Sequence, residues 1–528
     1  MAHDSQIPHV PRPANPNNPP SPKKAQKTAK VASPSYHEQQ WQQYEKYGKE
    51  PATPPAKTAL TVRIGVFFDG TGNNASNTAL GQLCGAHHPV NPQDLDASCK
   101  PYMANPDSSY GNEITNVKKL FDLYYVPSDL EGDQQHKTAY YSVYVEGIGT
   151  NAREKDNPLG LGLGRGESGV AGRVESAFNQ LKMQIALLIA MNPDCEITSL
   201  VFDMFGFSRG AAAARHFANE LIRNQGPLLH LVNDNSRGFS PHFQRQLGSD
   251  VIIGFIGLFE TVASVVGLFN WGNIKTSNIT PGVRLYLDRK YFTNVVQLSA
   301  RDERRANFSL SRVVPAHRDI ALPGVHSDIG GSYLDEAQET VMIGPMQGLT
   351  VAHTIDVSHT SIYQDAQQLK DQLVAEGWPA EHLAIVTPPA RMLPKDQTDR
   401  MGTPQKRVFA GVQIKRPVRG ELSRVYLRVM HALAKEKGVR FTPIDDNDPE
   451  YSIPAELQAL SDRMVSGDYS VLPEEEALLK RRYIHTSASW NNPSGQVTEA
   501  GITLFYVNAP TPDGIRVQHP HVPDWTLW

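Results

Sequence analysis

Short apolar runs alternate with amphipathic runs along the first two-thirds of the chain. The apolar runs are rich in β-branched and aromatic residues, which predicts buried strands, and the runs between them have apolar residues at helical spacing. Strands that alternate with helices are typical of an α/β fold with an open, largely parallel sheet and helices on both faces. The strands are predicted in "TVRIGVFF", "AYYSVYVEGIGT", "EITSLVFDMF", "VIIGFIGLFE" and "DIALPGV".

The pattern changes beyond residue 345, where three long segments carry apolar residues at helical spacing. These segments predict a helical insertion or cap at residues 345–482, and residues 483–528 are expected to return to the core formed by residues 58–344. Residues 1–57 contain 11 of the 39 prolines and almost no aliphatic side chains. Such a segment cannot bury a core, so we expect a disordered, Pro- and Lys-rich arm.

Charge and hydropathy exclude two classes of protein. The 51 Lys and Arg residues nearly balance 55 Asp and Glu residues, giving a formal net charge of −4, which argues against nucleic acid as a partner. No run reaches the roughly 18 apolar residues that a membrane span needs. The N-terminus also lacks the apolar core of a signal peptide, so we expect synthesis as a soluble cytoplasmic protein.

One serine lies where a predicted strand turns sharply into a predicted helix, in "VFDMFGFSRGAAAARHF". Gly206 and Gly210 flank Ser208 at a spacing of two, which is the G-x-S-x-G pattern of a nucleophile elbow. Small residues are needed there because the strand and the helix would otherwise collide. The N-terminal amides of the helix would stabilise negative charge developing near the serine. The alternative is a chance match in which Ser208 only caps the helix.

A serine nucleophile needs a base and an orienting acid, which follow it in the order acid, then histidine, in α/β-hydrolases. Glu260 ends the next apolar strand, and His326 lies in a glycine-rich loop after a later strand. We favour these two because a loop at the carboxyl end of a strand can reach over the nucleophile. The rivals are His317 as the base and Asp319 and Asp328 as the acid.

An oxyanion hole usually needs two backbone amides near the nucleophile. The amide of Arg209, directly after Ser208, is predicted to be one of them. The other is expected in "FFDGTGNN", where Asp69, Gly70 and Thr71 follow the first strand. A phosphate-binding loop is the rival interpretation, but the Gly-Lys-Ser/Thr ending of a P-loop is missing.

No cofactor and no metal ion are predicted. Cys84 and Cys99 flank a loop that contains His87 and His88, which leaves three interpretations: a zinc clip, a disulfide formed after export, or two free thiols. Cys195 precedes an apolar strand and is predicted to be a small buried residue. The glycine run "LGLGLGRGESGVAG" fits a dinucleotide fingerprint but does not directly follow a strand, which favours a mobile loop.

Five motifs together resemble the α/β-hydrolase phospholipase effectors of the bacterial type VI secretion system, in particular their first lipase family: "IGVFFDGTGNN", "GFSRGAAAARHF", "GFIGLFETVAS", "ALPGVHSDIGGSY" and "YIHTSASWNN". The resemblance implies a triad of Ser208, Glu260 and His326, with Glu260 where the family usually has aspartate. It also implies membrane phospholipids as substrate, delivery by a spike protein, a cognate immunity protein, and action in the periplasm of target cells.

The leading hypothesis is therefore a phospholipase A that works through an acyl-enzyme. The alternatives are a general carboxylesterase acting on soluble esters, and a spike-associated binding protein with a vestigial hydrolase fold. The apolar segment "TVASVVGLFNWGN" after Glu260 is interpreted either as an acyl-chain channel or membrane-facing rim, or as ordinary core packing.

Overall fold

A seven-stranded sheet organises the computed structural model, which describes residues 57–83, 109–150, 169–263, 282–394, 402–491, 506 and 508–523. From one edge to the other the strands are β2 (Glu131–Gly132), β3 (His136–Val145), β1 (Thr58–Phe68), β4 (Cys195–Phe207), β5 (Val251–Phe259), β6 (Val295–Ala300) and β8 (Arg318–Leu322). Every neighbouring pair is parallel except β2 and β3. The predicted α/β fold with a largely parallel sheet is confirmed.

Helices cover both faces of this sheet. They are α1 (Ala75–Leu83), α2 (Asn116–Leu123), α3 (Val170–Met191), α4 (Arg209–Leu221), α5 (Pro227–Asp234) and the short α6 (His326–Gly330). Because successive strand side chains point to opposite faces, neighbours on β1 reach different helices. Phe68 packs against Phe217 of α4, whereas Phe67 packs against Phe121 of α2, both with ring centroids 5.6 Å apart.

A second, antiparallel sheet follows the core. It contains β9 (Ala337–Met342), β10 (Gln347–Ala352), β11 (Leu383–Val386) and β12 (Arg391–Met392), all paired with the long β13 (Gln405–Val418). The three predicted helices are present as α7 (Ser361–Ala375), α8 (Leu422–Glu436) and α10 (Pro473–Arg482), and α9 (Ala455–Val465) lies between the last two. The sheet itself was not predicted, although alternate apolar residues of β13, from Val408 to Ile414, pack into one core cluster.

The C-terminal segment lies against the core. Its strand β14 (Gln518–His519) pairs in parallel with β7 (Leu310–Ser311). The Leu310 amide donates to the Val517 carbonyl at 2.9 Å, and the Arg312 amide donates to the His519 carbonyl at 3.0 Å. The domain boundaries near residues 57, 344 and 482 stay predictions.

Several sequence features lie outside the described residues. These are the arm up to residue 56, the loop with Cys84 and Cys99, most of the glycine run before α3, and the apolar segment from residue 264 to 281. Cys195 is described, and it is buried with a free thiol, as predicted. Within the described residues, no helix is both long and apolar enough to cross a membrane.

Candidate active site

The backbone of Ser208 is strained at the junction of β4 and α4. Its φ of 58° and ψ of −124° lie in a region that costs about 1–3 kcal/mol unless the surroundings enforce it. Here the Ser208 amide donates to the Phe259 carbonyl at 3.0 Å, and the Ser208 carbonyl accepts from the amide of Ala211 at 3.1 Å. Ser208 occupies the N-cap position of α4, but within the described part of the chain its hydroxyl makes no capping bond to the helix.

The two flanking glycines are required by backbone contacts. A Cβ atom on Gly206 would lie 2.4 Å from the carbonyl oxygen of Gly210. A Cβ atom on Gly210 would lie 2.3 Å from the carbonyl oxygens of both Phe68 and Asp69. Backbone oxygens cannot rotate away as the end of a side chain can. The absence of side chains here lets α4 begin directly beside the end of β1, where the predicted oxyanion loop starts.

Glu260 and His326 come together at the carboxyl end of the sheet. Glu260 follows the last residue of β5, and His326 is the first residue of α6. Oε2 of Glu260 lies 2.9 Å from Nδ1 of His326, and both side chains are buried. Two aromatic rings pack against the imidazole, Phe207 at 4.7 Å and Phe308 at 4.8 Å between centroids. Since Phe207 directly precedes Ser208, the histidine lies beside the nucleophile elbow.

Arg516 contributes a charged contact to this pair that the sequence did not indicate. Its two terminal nitrogens donate to the two oxygens of Glu260, at 3.0 and 2.7 Å. The Ala300 amide also donates to Oε1 of Glu260 at 2.5 Å. The Glu260 carboxylate therefore has four donors, and it is completely buried.

These contacts determine the charges of the pair. Burial by itself would raise the pKa of Glu260, but the charge of Arg516 and the contact with His326 outweigh it and lower that pKa to about 2. Burial lowers the pKa of His326, Glu260 opposes this effect, and Arg305 and Arg516 add to it. At neutral pH Glu260 is therefore ionised and can only accept, so Nδ1 of His326 carries the proton and Nε2 is the basic atom.

His326 was expected in a glycine-rich loop but begins α6, and a second buried carboxylate, Glu303, holds the backbone there. Its Oε2 accepts from the amide of His326 at 3.2 Å and pairs with Arg305 at 2.8 Å. The hydroxyl of Ser487, from the segment after α10, donates to both of its oxygens. Sequence reasoning missed Glu303 because nothing in its neighbourhood marks it as different from other surface-type acids.

Asp328, a rival acid, faces another histidine. Its Oδ1 lies 2.7 Å from Nδ1 of His485, and its Oδ2 accepts from the amides of Val325 and His485 at 2.9 and 3.1 Å. Tyr333 stacks on the ring of His485 at 3.6 Å. Asp328 thus ties α6 to the segment that follows α10.

The other two rivals, His317 and Asp319, have different hydrogen-bond partners. Nε2 of His317 is 2.7 Å from the Leu287 carbonyl. The carboxylate of Asp319 accepts from Arg312 at 2.8 Å and from Ser299 at 2.7 Å. Neither contact supplies the pairing of a carboxylate with an imidazole that a triad requires.

The predicted oxyanion loop is built around the buried side chain of Asp69. Its Oδ1 accepts from the Gly70 amide and from the hydroxyl of Thr115, both at 2.7 Å, and the Asp69 amide donates to Val145 at 2.9 Å. The amides of Asp69 and Gly70 are therefore already engaged. Thr71 remains, since its amide has no acceptor among the described residues. The Thr71 hydroxyl accepts from Nε of Arg209 at 2.6 Å, which joins the loop to the elbow.

Comparison with known proteins gives two informative matches. The model of the family "T6SS, Phospholipase effector Tle1-like, catalytic domain" matches residues 230–356, a stretch that includes Glu260 and His326. Among solved structures, the chain is similar to "Structure of the Tle1 effector bound to the VgrG spike from the Type 6 secretion system". The TM-score is 0.66 and the identity 29%, over 88% of this chain and 94% of that one.

Two further comparisons add nothing to the function. A crystal structure of an uncharacterized protein from Pseudomonas aeruginosa has a TM-score of 0.35 and 16% identity, over 84% of this chain and 54% of that one. This similarity is too distant to inform the function. No curated protein matches the chain by sequence.

Proposed function

We propose that this chain is a Tle1-like phospholipase effector of the type VI secretion system, and that it is a phospholipase A that uses Ser208, His326 and Glu260. The observation that carries the proposal is the buried contact of 2.9 Å between Glu260 and His326 beside the strained elbow of Ser208. A serine, a neutral imidazole and an ionised carboxylate in this order are the parts of an acyl-transfer site.

In the proposed reaction, Oγ of Ser208 attacks the ester carbonyl of a phospholipid while Nε2 of His326 accepts its proton. Glu260 stabilises the imidazolium that forms. The tetrahedral intermediate collapses as His326 returns the proton to the leaving oxygen, which releases a lysophospholipid. Water, deprotonated by His326, then attacks the acyl-enzyme, and fatty acid leaves as Ser208 regains its proton.

The oxyanion of the tetrahedral intermediate would be bound by the backbone amides of Arg209 and Thr71. Arg209 is the first residue of α4, so the positive end of the helix lies beside the developing charge. The contact between Nε of Arg209 and the Thr71 hydroxyl would keep the two amides at a constant separation. One such donor contributes about 10²–10³ in turnover.

Delivery and target follow from the family and are part of the same proposal. The similar solved structure is described as a Tle1 effector bound to the VgrG spike. We propose that this chain, too, is carried by a spike protein, acts on phospholipids in the periplasm of target cells, and is neutralised in the producing cell by a cognate immunity protein.

The decisive experiment is product analysis by mass spectrometry after incubation with mixed phospholipid vesicles. We expect fatty acid and lysophospholipid from the wild type and neither from Ser208→Ala. Ser240→Ala is a matched control, because Ser240 is also a buried serine and its hydroxyl oxygen accepts from the amide of the nearby His242. Diacylglycerol or phosphatidic acid as the product would contradict the A-type cleavage.

A short soluble ester, measured in parallel, tests the competing functions. Equal efficiency on the ester and on the vesicles, with no gain at the lipid surface, would favour the general carboxylesterase. Toxicity in the periplasm that survives Ser208→Ala would favour a spike-associated binding protein with no need for hydrolysis.

A further inference from the structure

The C-terminal segment places a cation directly behind the acid of the candidate triad. Arg516 is 256 residues away from Glu260 in sequence, and its side chain is only 5% exposed. Its two terminal nitrogens meet the two oxygens of Glu260 side by side. A bidentate pair of this kind fixes the plane of the carboxylate as well as its position.

Arg516 is itself held rigidly. Its Nε donates to the Phe308 carbonyl at 2.6 Å. The next residue, Val517, accepts from the Leu310 amide at 2.9 Å, and the pairing of β14 with β7 follows at once. Phe308 also packs its ring against the imidazole of His326. The short segment 308–310 therefore contacts both partners of Glu260: the imidazole of His326 and the segment that carries Arg516.

We propose that Arg516 is a positioning residue of the triad, which holds the carboxylate of Glu260 so that Oε2 faces Nδ1 of His326. The proposal rests on the assignment of Glu260 and His326 to the triad. Glutamate has one more rotatable bond than aspartate, so its carboxylate has more orientations to lose. The guanidinium and the Ala300 amide select one of them.

The charge of Arg516 has a second effect, on the pH range of the reaction. The charged groups that face His326 are Glu260, Arg305, Arg516 and, at its backbone amide, Glu303. Two cations in this set oppose protonation of the imidazole. When the Arg516 charge is removed, it no longer offsets the negative charge of Glu260. Glu260 then stabilises an imidazolium more strongly, so the pKa of His326 rises. Since the base must be neutral to accept a proton, the acidic limb of the pH profile moves to higher pH.

The test measures the rate at which a fluorophosphonate labels Ser208, as a function of pH, in the full chain. For Arg516→Met we expect a rate about 10²-fold lower, as for a misplaced catalytic group, and an acidic limb about one pH unit higher. For Arg516→Lys we expect a reduced rate with the limb unchanged, because the charge is kept and the bidentate contact is lost. Ile515→Ala, at a neighbouring residue that is 68% exposed, should match the wild type.

If Arg516 served stability alone, Arg516→Met would lower the amount of folded protein, but the acidic limb of the pH profile of the folded fraction would stay at the wild-type pH. The proposal would be overturned if folded Arg516→Met were labelled at the wild-type rate and its pH profile had the same acidic limb as the wild type. Should Arg516→Met not fold, Arg516→Lys decides, because a wild-type labelling rate in that variant would show that the bidentate contact is not needed. Labelling does not depend on which ester is cleaved, so a wrong phospholipid assignment leaves the test intact. A wild type that is not labelled at all overturns the triad and this proposal together.

Discussion

Replacement of Glu260 by glutamine separates the chemistry of the proposed triad from the stability of the fold. The carboxylate has two donors at each oxygen: the Ala300 amide and one nitrogen of Arg516 at Oε1, and His326 and the other nitrogen of Arg516 at Oε2. An amide has only one carbonyl oxygen. The NH₂ group of the glutamine therefore replaces one of the two oxygens and faces the two donors that this oxygen accepted from. Arg516 also loses the negative charge that it pairs with.

Two estimates of the cost to stability agree. Breaking a buried ion pair by neutralising one partner costs about 3–5 kcal/mol. The pKa of Glu260, lowered from 4.5 to about 2, corresponds to roughly 3 kcal/mol of stabilisation of the charged form. The loss in turnover is larger, about 10⁴-fold, because the imidazolium is no longer stabilised and the tautomer of His326 is no longer held. Glu260→Asp keeps the charge but is one methylene shorter, so we expect partial activity.

The assay combines thermal unfolding with hydrolysis rates on vesicles, both measured on the same preparations. Asp319→Asn is a matched control: Asp319 is a buried acid in an ion pair with Arg312, and its partners among the described residues include no histidine. We expect this variant to lose stability but to keep its turnover. Folded Glu260→Gln with near wild-type hydrolysis would refute the assignment of the acid, all the more so if Asp319→Asn were inactive.

Four further outcomes follow from the structure. Gly210→Ala should abolish labelling of the nucleophile and lower the melting temperature, because its Cβ would overlap backbone oxygens at 2.3 Å. The free energy of unfolding should fall as the pH falls from about 4.5 to about 2, since the lowered pKa of Glu260 stabilises the fold only while the group is ionised; Glu260→Gln should show a smaller fall in the same titration. Asp328→Asn should lower the melting temperature through the lost contact with His485 yet keep most of the turnover. Deletion of residues 1–57 should leave hydrolysis in vitro unchanged, because a Pro- and Lys-rich segment that cannot bury a core is expected to serve delivery and not catalysis; a folded but inactive truncation would contradict this.

What the sequence could predict is mainly local. The elbow of Ser208 is visible because a strand, two glycines and a helix follow one another within a short stretch. Glu260 and His326 could be chosen because each follows a strand that ends at the same edge of a parallel sheet, although only the structure brings them within 2.9 Å.

The sequence did not reveal features that depend on contacts between residues far apart in the chain, or strands that lie among stronger helical patterns. Arg516 lies in a polar segment with nothing to connect it to residue 260 until the chain has folded. The antiparallel sheet around β13 was overlooked because the residues from Val408 to Val412 are all buried and do not alternate with polar ones, and because the strand lies between stronger helical patterns. The Gly70 amide was a reasonable oxyanion donor by position, but the side chain of Asp69 folds back onto it.

The distance of 256 residues between Glu260 and Arg516 has a consequence for the order of events during synthesis. A ribosome makes the chain from its N-terminus, so Ser208, Glu260 and His326 all emerge long before residue 516. A nascent chain that had folded around those three would contain a buried acid without its cation, which is unfavourable by several kcal/mol. The proposed triad therefore gains its complete set of contacts only when residue 516 has emerged and docked, later than the three residues that would carry out the reaction.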